Sequence, residues 1–391
     1  MKFRGVDYYD IDSLLTAEEK MTRQTVRDFM EVEVKPYVAE AFNNERPLDM
    51  AKLAPKMGEL GIIGSFIPRE YGAAGSSYTE FGLICQEVER VDSALRSFIA
   101  VSSGLVMYPI WKYGSDAQRS KWLPLLAGGK KIGCFGLTEP NVGSDVASLE
   151  TTAKKQGGNW VINGAKQWIS EASIADVAVV WAKTADGIRG FLLERGLKGF
   201  EQKVRGKKGS MRAGDVGELY FSDCIVSGDD LLPGSAGLKS PLSCLSQARY
   251  GISWGARGAA MDCYEAALVY ARERKQFGSP IASYQLVQEK LVNMLIEITK
   301  GQLVSYQLGR LMDLGTARPA QISLAKKNNV NGARYCARTA RELLGAGGIS
   351  LENSPIRHMA NIESVYTYEG TDDMHTLIIG SDITGLPAFG K

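Results

Sequence analysis

The chain has 391 residues, of which 45% are hydrophobic and 23% charged, and its net charge is +2. This is the composition of a folded globular protein with room for two or three domains, and it excludes disordered and collagen-like chains. No basic block stands out, so nucleic acid is not an expected partner. Two histidines cannot form a multi-histidine site, so no metal is expected.

Cysteine usage and the apolar segments indicate the compartment. Six cysteines occur without a C-x-x-C pair, which predicts reduced, mostly buried thiols. No apolar run approaches the ~18 residues of a membrane span, and the first ten residues are too acidic and polar for a signal or transit peptide. We therefore expect a cytoplasmic protein without an integral membrane segment. A mature mitochondrial-matrix form is compatible with the same sequence.

Residues 1–130 are predicted to form an N-terminal α-helical domain. Thr16 with Glu19, and Ser115 with Gln118, have the spacing of capping boxes. Between them, apolar side chains recur every three or four residues, which predicts one continuous helical stripe. The stripe comprises Phe81, Ile84, Cys85, Val88, Val91, Leu95 and Phe98.

Residues 131–235 change to the pattern of strands. Asn163-Gly164 lies between two strand-like runs and predicts a hairpin turn. Further short runs at residues 175–181, 190–193 and 218–221 also read as strands. Short strands with close turns predict a small antiparallel β sandwich or barrel in the middle of the chain.

Residues 236–391 return to helical periodicity, with long amphipathic stretches at 246–275 and 284–314. The chain is therefore predicted to be an α+β multidomain protein with a C-terminal helical bundle. Gly251-Ile-Ser253-Trp-Gly255 matches the G-x-S-x-G motif of serine hydrolases and thioesterases, but it lacks the preceding strand that this motif needs. Its glycines fit close helix packing better.

Three segments together identify a family. They are residues 135–145 (Phe-Gly-Leu-Thr-Glu-Pro-Asn-Val-Gly-Ser-Asp), residues 274–280 (Arg-Lys-Gln-Phe-Gly-Ser-Pro) followed by Gln285, and residues 368–371 (Tyr-Glu-Gly-Thr). In this order on an α-β-α array they resemble the acyl-CoA dehydrogenase family. Residues 87–97, 105–109, 248–252 and 366–369 look like its glutaryl-CoA dehydrogenase branch.

The resemblance implies an N-terminal helical domain, a middle β domain and a C-terminal four-helix bundle, with FAD between the last two. It also implies a homotetramer in which a neighbouring subunit completes each FAD site, and an electron-transferring flavoprotein that accepts the electrons. The reaction would remove an α-proton and a β-hydride from an acyl-CoA. In this family the N–H of the catalytic base and a flavin hydroxyl polarise the thioester carbonyl.

Site residues carry over by position. The resemblance implies that Glu369 is the catalytic base, and proton removal needs such a carboxylate in a dry pocket that raises its pKa. The residues implied in substrate binding are Arg96, Glu89, Ser97, Ser144, Arg249, Tyr368 and Gly370. The residues implied in cofactor binding are Phe135, Leu137, Thr138, Gly143, Ser144, Trp168, Ile169, Ser170, Arg274, Gln276, Phe277, Gln285, Gly345, Gly347, Gly348, Thr371 and Asp373.

Arg96 determines the expected substrate class. In the glutaryl-CoA branch the matching arginine binds the distal carboxylate of the acyl chain, supported by the residue that matches Glu89. On one predicted helix these two residues, seven apart, share a face. The alternative is that Arg96 pairs with Asp92 on a solvated surface. Ordinary fatty-acyl dehydrogenases do not need an arginine in the acyl pocket, where an unpaired charge is costly.

Five positions depart from the branch. Ala100, Ser102 and Gly104 are smaller than its usual residues, while Glu171 and Asp372 replace asparagine and histidine. The small residues predict a roomier acyl pocket. We therefore expect oxidation and decarboxylation of glutaryl-CoA to crotonyl-CoA, with non-decarboxylating oxidation of a bulkier dicarboxylyl-CoA such as benzylsuccinyl-CoA as the alternative. A serine hydrolase or thioesterase is a remote alternative, and the presence of Glu369 argues against a catalytically silent relative.

Overall fold

Side-chain caps set the helix starts in the N-terminal part of the computed structural model, which describes residues 5–388. Both predicted capping boxes are confirmed. The hydroxyl groups of Thr16 and Ser115 each accept a hydrogen bond from the backbone N–H three residues on, and the side chains of Glu19 and Gln118 accept one from the backbone N–H of Thr16 and Ser115. The helices are α1 (Ala17–Phe29), α2 (Lys35–Asn43), α3 (Met50–Glu59), α4 (Tyr78–Val91), α5 (Ser93–Ala100), α6 (Tyr108–Tyr113) and α7 (Asp116–Ala127).

The single apolar stripe predicted from Phe81 to Phe98 is wrong, because Asp92 divides it between α4 and α5. Asp92 is extended (φ −160°, ψ 139°), and its carboxylate accepts a hydrogen bond from the Ala94 N–H at 2.8 Å. The other carboxylate oxygen accepts from Asn361 Nδ2 at 3.0 Å and pairs with Arg357. The contact with Ala94 is a local helix cap that sequence reasoning missed, whereas Asn361 and Arg357 lie more than 260 residues away in the sequence.

The expectation that no apolar run reaches membrane-span length is also wrong. Through a π-helical turn at Val101–Met107, α5 continues into α6, and the combined helix Ser93–Tyr113 is long and apolar enough to meet a length-and-composition test for a membrane span. Polar residues such as Arg96 interrupt the apolar sequence, so no long uninterrupted apolar run is visible in it. Its apolar window is completely buried inside the protein, which is the environment of a core helix.

The middle part contains seven strands, which are β1 (Gly133–Gly136), β2 (Thr152–Gln156), β3 (Asn159–Ser170), β4 (Val177–Thr184), β5 (Gly187–Glu194), β6 (Phe200–Val204) and β7 (Val216–Ser227). They form one curled sheet in the order β1-β4-β2-β3-β7-β6, with β5 on β4. Most pairings are antiparallel as predicted, but β1 and β2 both run parallel to β4.

The predicted hairpin turn at Asn163-Gly164 is wrong: both residues lie inside β3, at an irregularity of its pairing with β7. Asn163 exchanges two hydrogen bonds with Asp223 across this irregularity. Gly164 has a φ of +144°, and a Cβ there would lie 2.5 Å from the Thr151 hydroxyl. The turn between β2 and β3 is Gly157-Gly158 instead, so the same glycine signal marks a close approach at one place and a turn at the other.

The C-terminal part consists of helices α8 (Lys239–Glu273), α9 (Gln285–Asp313), α10 (Pro319–Leu343), α11 (Ser354–Thr367) and α12 (Asp372–Thr384), with a small hairpin of β8 (Lys275–Gln276) and β9 (Ser279–Pro280). The hydrolase alternative is wrong, because Ser253 is fully buried within α8 and donates to the Tyr250 carbonyl at 2.7 Å. The glycines of that motif allow α8 to approach α4 closely. A Cβ at Gly255 would lie 2.0 Å from Glu89 Oε2.

Candidate active site

A cleft of about 1490 Å³ lies between the helices of the N-terminal part, the sheet and the C-terminal helices. Most of the predicted substrate and cofactor residues line it, although they come from distant parts of the sequence. They are Ser97, Phe135, Leu137, Thr138, Gly143, Ser144, Trp168, Ile169, Ser170, Arg249, Tyr368, Glu369, Gly370 and Thr371. The fold therefore brings the three family segments to one place, except for residues 274–280.

Other predicted site residues lie outside the wall of this cleft. Arg96 and Glu89 are buried behind Tyr368. Phe277 is at the tip of the β8–β9 hairpin with 96% of its surface exposed. The rest of this group is Arg274, Gln276, Gln285, Gly345, Gly347, Gly348 and Asp373. The assignment of Arg274, Gln276 and Phe277 to the FAD of a neighbouring subunit remains a prediction, as does the cofactor role of the others in this last group.

Two basic side chains donate hydrogen bonds to the backbone of the segment that carries Glu369. Lys326 Nζ on α10 donates to the carbonyls of Tyr368 and Gly370, both at 2.6 Å. Arg249 Nε on α8 donates to the Glu369 carbonyl at 2.7 Å, so Arg249 contacts the base segment itself. Glu369 has a φ of +54°, which is uncommon for a residue with a side chain. Sequence reasoning missed Lys326, because no local motif marks it.

Opposing electrostatic effects act on Glu369. Burial raises the pKa of its carboxyl group, whereas the positive charges of Arg96, Lys326 and Arg249 lower it, and the net shift is upward. Glu369 Oε2 has no hydrogen-bond partner among residues 5–388. A buried carboxylate with a free oxygen at a cleft wall is suited to accept a proton from a bound molecule.

Arg96 lies in a buried cluster, so its predicted alternative pairing with Asp92 on a solvated surface is wrong. Its Nε donates to Glu89 Oε2 at 2.6 Å, both side chains are fully buried, and Nη2 donates to the Tyr368 hydroxyl. Burial lowers the pKa of the guanidinium, but Glu89, Tyr368 and Glu369 more than offset this effect and hold that pKa above its ordinary value. Nη1 has no partner among the described residues. Glu89 lies on α4 and Arg96 on α5, so their ion pair joins two helices and not one helix as predicted.

A buried ion pair supports the strand end on the other side of the cleft. Lys166 Nζ contacts Glu139 Oε1 at 2.7 Å and the Leu137 carbonyl at 3.1 Å. Glu139 also accepts the Thr151 N–H at 2.9 Å. Burial lowers the pKa of Lys166 to about 8, against the opposing effect of Glu139. This pair fixes the loop that carries Thr138, and sequence reasoning did not find it.

The departures at Ala100, Ser102 and Gly104 do not widen the cleft, so the expectation of a roomier acyl pocket from these residues is wrong. None of the three belongs to the cleft wall, which this helix supplies through Ser97, Val101, Leu105 and Tyr108. A Cβ at Gly104 would lie 3.1 Å from the Ala248 nitrogen of α8. The π-helical turn shifts which side chains face the cleft, and sequence spacing alone could not show this.

The other two departures, Asp372 and Glu171, lie in different surroundings. Asp372, the first residue of α12, accepts hydrogen bonds from Lys327 and from Asn331 Nδ2, the latter at 2.7 Å. Its negative charge also suits a helix N-terminus. Glu171 is buried, and burial together with the charge of Asp215 raises its pKa to about 8.

The chemistry of the cleft wall fits a flavin nucleotide. Apolar and aromatic side chains such as Phe135 and Trp168 make up much of the wall, while Thr138, Ser144 and Ser170 bring hydroxyl groups to it. A planar ring system with a polar tail needs both kinds of surface. With a buried carboxylate base opposite, the fold and the cleft define a flavin-dependent oxidoreductase.

Comparison with known proteins gives the family. Models of the acyl-CoA dehydrogenase N-terminal, middle and C-terminal domains match residues 16–130, 134–224 and 235–384. The chain therefore belongs to the acyl-CoA dehydrogenase family, and it is an FAD-dependent enzyme that acts on acyl-CoA substrates.

Three relatives illustrate the similarity. A glutaryl-CoA dehydrogenase from Desulfococcus multivorans is 33% identical over 387 residues, which are 96% of this chain and 99% of that protein. The human mitochondrial short-chain specific acyl-CoA dehydrogenase is 32% identical over 376 residues, or 94% of this chain and 90% of that protein. A crystal structure of a glutaryl-CoA dehydrogenase from Mycobacterium smegmatis in complex with FADH2 is 45% identical, with a TM-score of 0.97 and complete coverage of both chains.

Proposed function

We propose that this enzyme oxidises a dicarboxylyl-CoA thioester, with glutaryl-CoA as the first choice, and releases CO2 to give crotonyl-CoA. The observation that carries the proposal is the buried guanidinium of Arg96, which donates to the hydroxyl of Tyr368 in the cleft wall and whose Nη1 lacks a partner among the described residues. An arginine recognises a carboxylate through charge-assisted hydrogen bonds. A neutral acyl chain would leave this buried donor unsatisfied. Similarity to two glutaryl-CoA dehydrogenases supports the choice.

In this proposal Glu369 removes the α-proton of the bound thioester with its carboxylate. The Glu369 N–H donates to the thioester carbonyl oxygen as negative charge develops there. The segments around Thr138 and Trp168, which line the cleft, would hold FAD, which would supply the acceptor for the β-hydride. Burial keeps water away from the carboxylate and strengthens each of these interactions.

Decarboxylation follows from the position of the new double bond. In oxidised glutaryl-CoA the distal carboxylate is vinylogous to the thioester carbonyl, so loss of CO2 gives a dienolate that the same N–H can stabilise. Glu369, now protonated, can return its proton to the dienolate and release crotonyl-CoA. Tyr368 next to the base is the residue usual in decarboxylating members of the branch, and it supports CO2 release.

The alternative hypothesis of a bulkier dicarboxylyl-CoA substrate loses its main support, because Ala100, Ser102 and Gly104 do not line the cleft. We further propose that the enzyme is a cytoplasmic homotetramer and that an electron-transferring flavoprotein accepts its electrons. These proposals rest on the family resemblance.

A turnover screen with product masses tests the substrate and the outcome. Glutaryl-CoA, a bulkier dicarboxylyl-CoA and a neutral acyl-CoA are compared on the same holoenzyme. Crotonyl-CoA with CO2 from glutaryl-CoA supports the proposal, whereas glutaconyl-CoA alone defeats the decarboxylation. Preference for the neutral thioester would overturn the assignment of Arg96.

A further inference from the structure

Lys326 is a buried lysine for which the family resemblance assigned no role. It lies on α10, its side chain is almost completely buried, and it is absent from the wall of the cleft. Its ammonium group donates to the carbonyls of Tyr368 and Gly370, the two residues that flank the base, both at 2.6 Å. Burial lowers the pKa of Lys326, while the charge of Glu369 opposes this effect.

The backbone geometry links these contacts to the cleft. The peptide bond between Tyr368 and Glu369 is trans, so its C=O and N–H groups point in opposite directions. Because Lys326 holds the Tyr368 carbonyl on the side away from the cleft, the Glu369 N–H is directed away from Lys326. That N–H has no acceptor among residues 5–388, so it is available to a bound molecule.

The conformation of the base also needs such support. Glu369 has a left-handed φ of +54°, which is unfavourable for a residue other than glycine. Arg249 holds the Glu369 carbonyl at 2.7 Å, so three successive carbonyl groups are fixed by two cations. Such a conformation persists only when its surroundings enforce it.

We infer that Lys326 is a positioning residue for the dehydrogenation: by holding the carbonyls on both sides of Glu369, it directs the Glu369 N–H toward the thioester carbonyl and aims the carboxylate at the α-carbon. This inference rests on the proposed role of Glu369. Lys326 acts through the backbone of the base and does not touch the substrate.

The first test replaces Lys326 by Met, which is similar in length but has no donor. The ligand is a 3-thia-acyl-CoA with a ¹³C-labelled carbonyl, because sulfur at the β position cannot lose a hydride and the complex is therefore stable. A hydrogen bond to the carbonyl lowers its stretching frequency, which isotope-edited infrared spectroscopy measures. We expect wild-type holoenzyme to shift this frequency downward and Lys326→Met to lose most of that shift.

Kinetics give a second readout on the same variant. The rate of flavin reduction by an oxidisable acyl-CoA should fall about 10- to 100-fold, because loss of one oxyanion donor typically costs about 100- to 1000-fold and here the donor is displaced rather than removed. The dissociation constant of the thia ligand should change less than about threefold, since most of its binding surface is untouched.

The pH profile separates charge from geometry. The charged groups that face Glu369 are Arg96 from α5, Arg249 from α8, Lys326 from α10 and Glu89 from α4. Removing the Lys326 charge raises the pKa of Glu369, so the acidic limb of the rate profile should move to higher pH. Lys326→Gln keeps a donor without the charge, and it should recover part of the infrared shift while keeping the displaced limb.

Lys327→Met is the matched control, because the neighbouring Lys327 contacts the Asp372 side chain rather than the carbonyls beside the base. We expect this control to keep the infrared shift and the position of the acidic limb. If Lys326→Met and Lys326→Gln both retain wild-type frequency, rate and pH profile, the inference is overturned. If Glu369→Gln reduces flavin at the wild-type rate, the proposed function itself fails, so the two failures are distinguishable.

Discussion

Glu369 combines a raised pKa with a strained backbone, and both properties come from groups that surround it in space. Burial disfavours its charge, while Arg96, Lys326 and Arg249 supply positive charge close by. The positive charges favour the ionised carboxylate, which can accept a proton. The net upward shift of its pKa would make it a stronger base than an exposed carboxylate.

Glu369→Gln should bind FAD and acyl-CoA normally but lose almost all flavin reduction, because the amide has the same size and cannot take a proton. We expect the single-turnover rate to fall about 1000-fold or more, within the range for loss of an acid–base group. Stopped-flow absorbance of the flavin measures it. Bleaching of the flavin at a near wild-type rate would refute the role of Glu369.

Arg96→Met should raise KM for glutaryl-CoA about 10- to 100-fold, because charge-assisted hydrogen bonds are worth about 1.5–3 kcal/mol, and it should leave neutral acyl-CoA less affected. Steady-state kinetics with both thioesters check this. The double variant Arg96→Met/Glu89→Gln is the control, since it removes the carboxylate that the single variant leaves buried and unpaired. Equal losses with both thioesters would show that Arg96 has only a structural role.

The raised pKa of Glu171 should lower the free energy of unfolding as the pH rises from about 4.5 to about 8. Its pKa is raised to about 8 in the folded chain from the ordinary value of 4.5, so the folded state retains a proton that the unfolded state releases across this range. Glu171→Gln removes this effect. We expect Tm at pH 8 to rise by about 2–5 °C and Tm at pH 4.5 to stay nearly unchanged, measured by scanning calorimetry at one scan rate. An equal change at both pH values would contradict the prediction.

At the scale of elements, one residue at the junction of α4 and α5 both caps a helix and makes buried contacts with another helix. Asp92 caps α5 through Ala94 and also receives Asn361 and Arg357 from α11. The helix break places Arg96 on α5 and Glu89 on α4 in a buried ion pair. The position of Arg96, the proposed substrate-binding arginine, therefore depends on where one helix ends.

Asp92→Ala should destabilise the protein by about 3–5 kcal/mol, because it removes a cap and leaves the Arg357 guanidinium buried without its partner. Asp92→Asn should cost less, since asparagine also caps helices. Ser77→Ala removes the cap of α4, which has no such ionic partner, and should cost only about 1 kcal/mol. Denaturant unfolding of the three variants measures the differences, and similar losses for Asp92→Ala and Ser77→Ala would rule out the ionic contribution.

At the scale of the whole molecule, one chain does not bring every predicted cofactor residue to its own cleft. The β8–β9 hairpin holds Phe277 in the left-handed region (φ +50°) and exposes 96% of its surface. In the proposed homotetramer this side chain would meet the FAD of a neighbouring subunit, as the family resemblance implies.

Phe277→Ser should lower the fraction of bound FAD after dialysis, because the aromatic ring no longer covers the neighbouring cofactor. Flavin absorbance per protein and light scattering after gel filtration measure cofactor content and assembly. Tyr37→Ser removes another exposed aromatic residue, on α2 and distant in the sequence, and should change neither. A monomer that keeps stoichiometric FAD would contradict both the tetramer and this role of Phe277.

The sequence by itself determined the three-part order of helices and strands, both capping boxes and the family. These features depend on local periodicity, on side chains three residues apart and on continuous motifs such as Tyr-Glu-Gly-Thr at residues 368–371. For the same reason the sequence singled out Glu369 and the segments around Thr138 and Trp168, which line one cleft.

Only the tertiary structure decided the inward position of Arg96, the irregularity at Gly164 and the contacts of Lys326. Each depends on a partner that is distant in the sequence: Tyr368 for Arg96, Thr151 for the space at Gly164 and the Tyr368 carbonyl for Lys326. Side-chain spacing gives the same signal whether a polar residue faces water or a buried partner. Which of the two it meets is fixed only when distant elements pack against each other, because burial makes an unpaired polar group costly and a paired one stable.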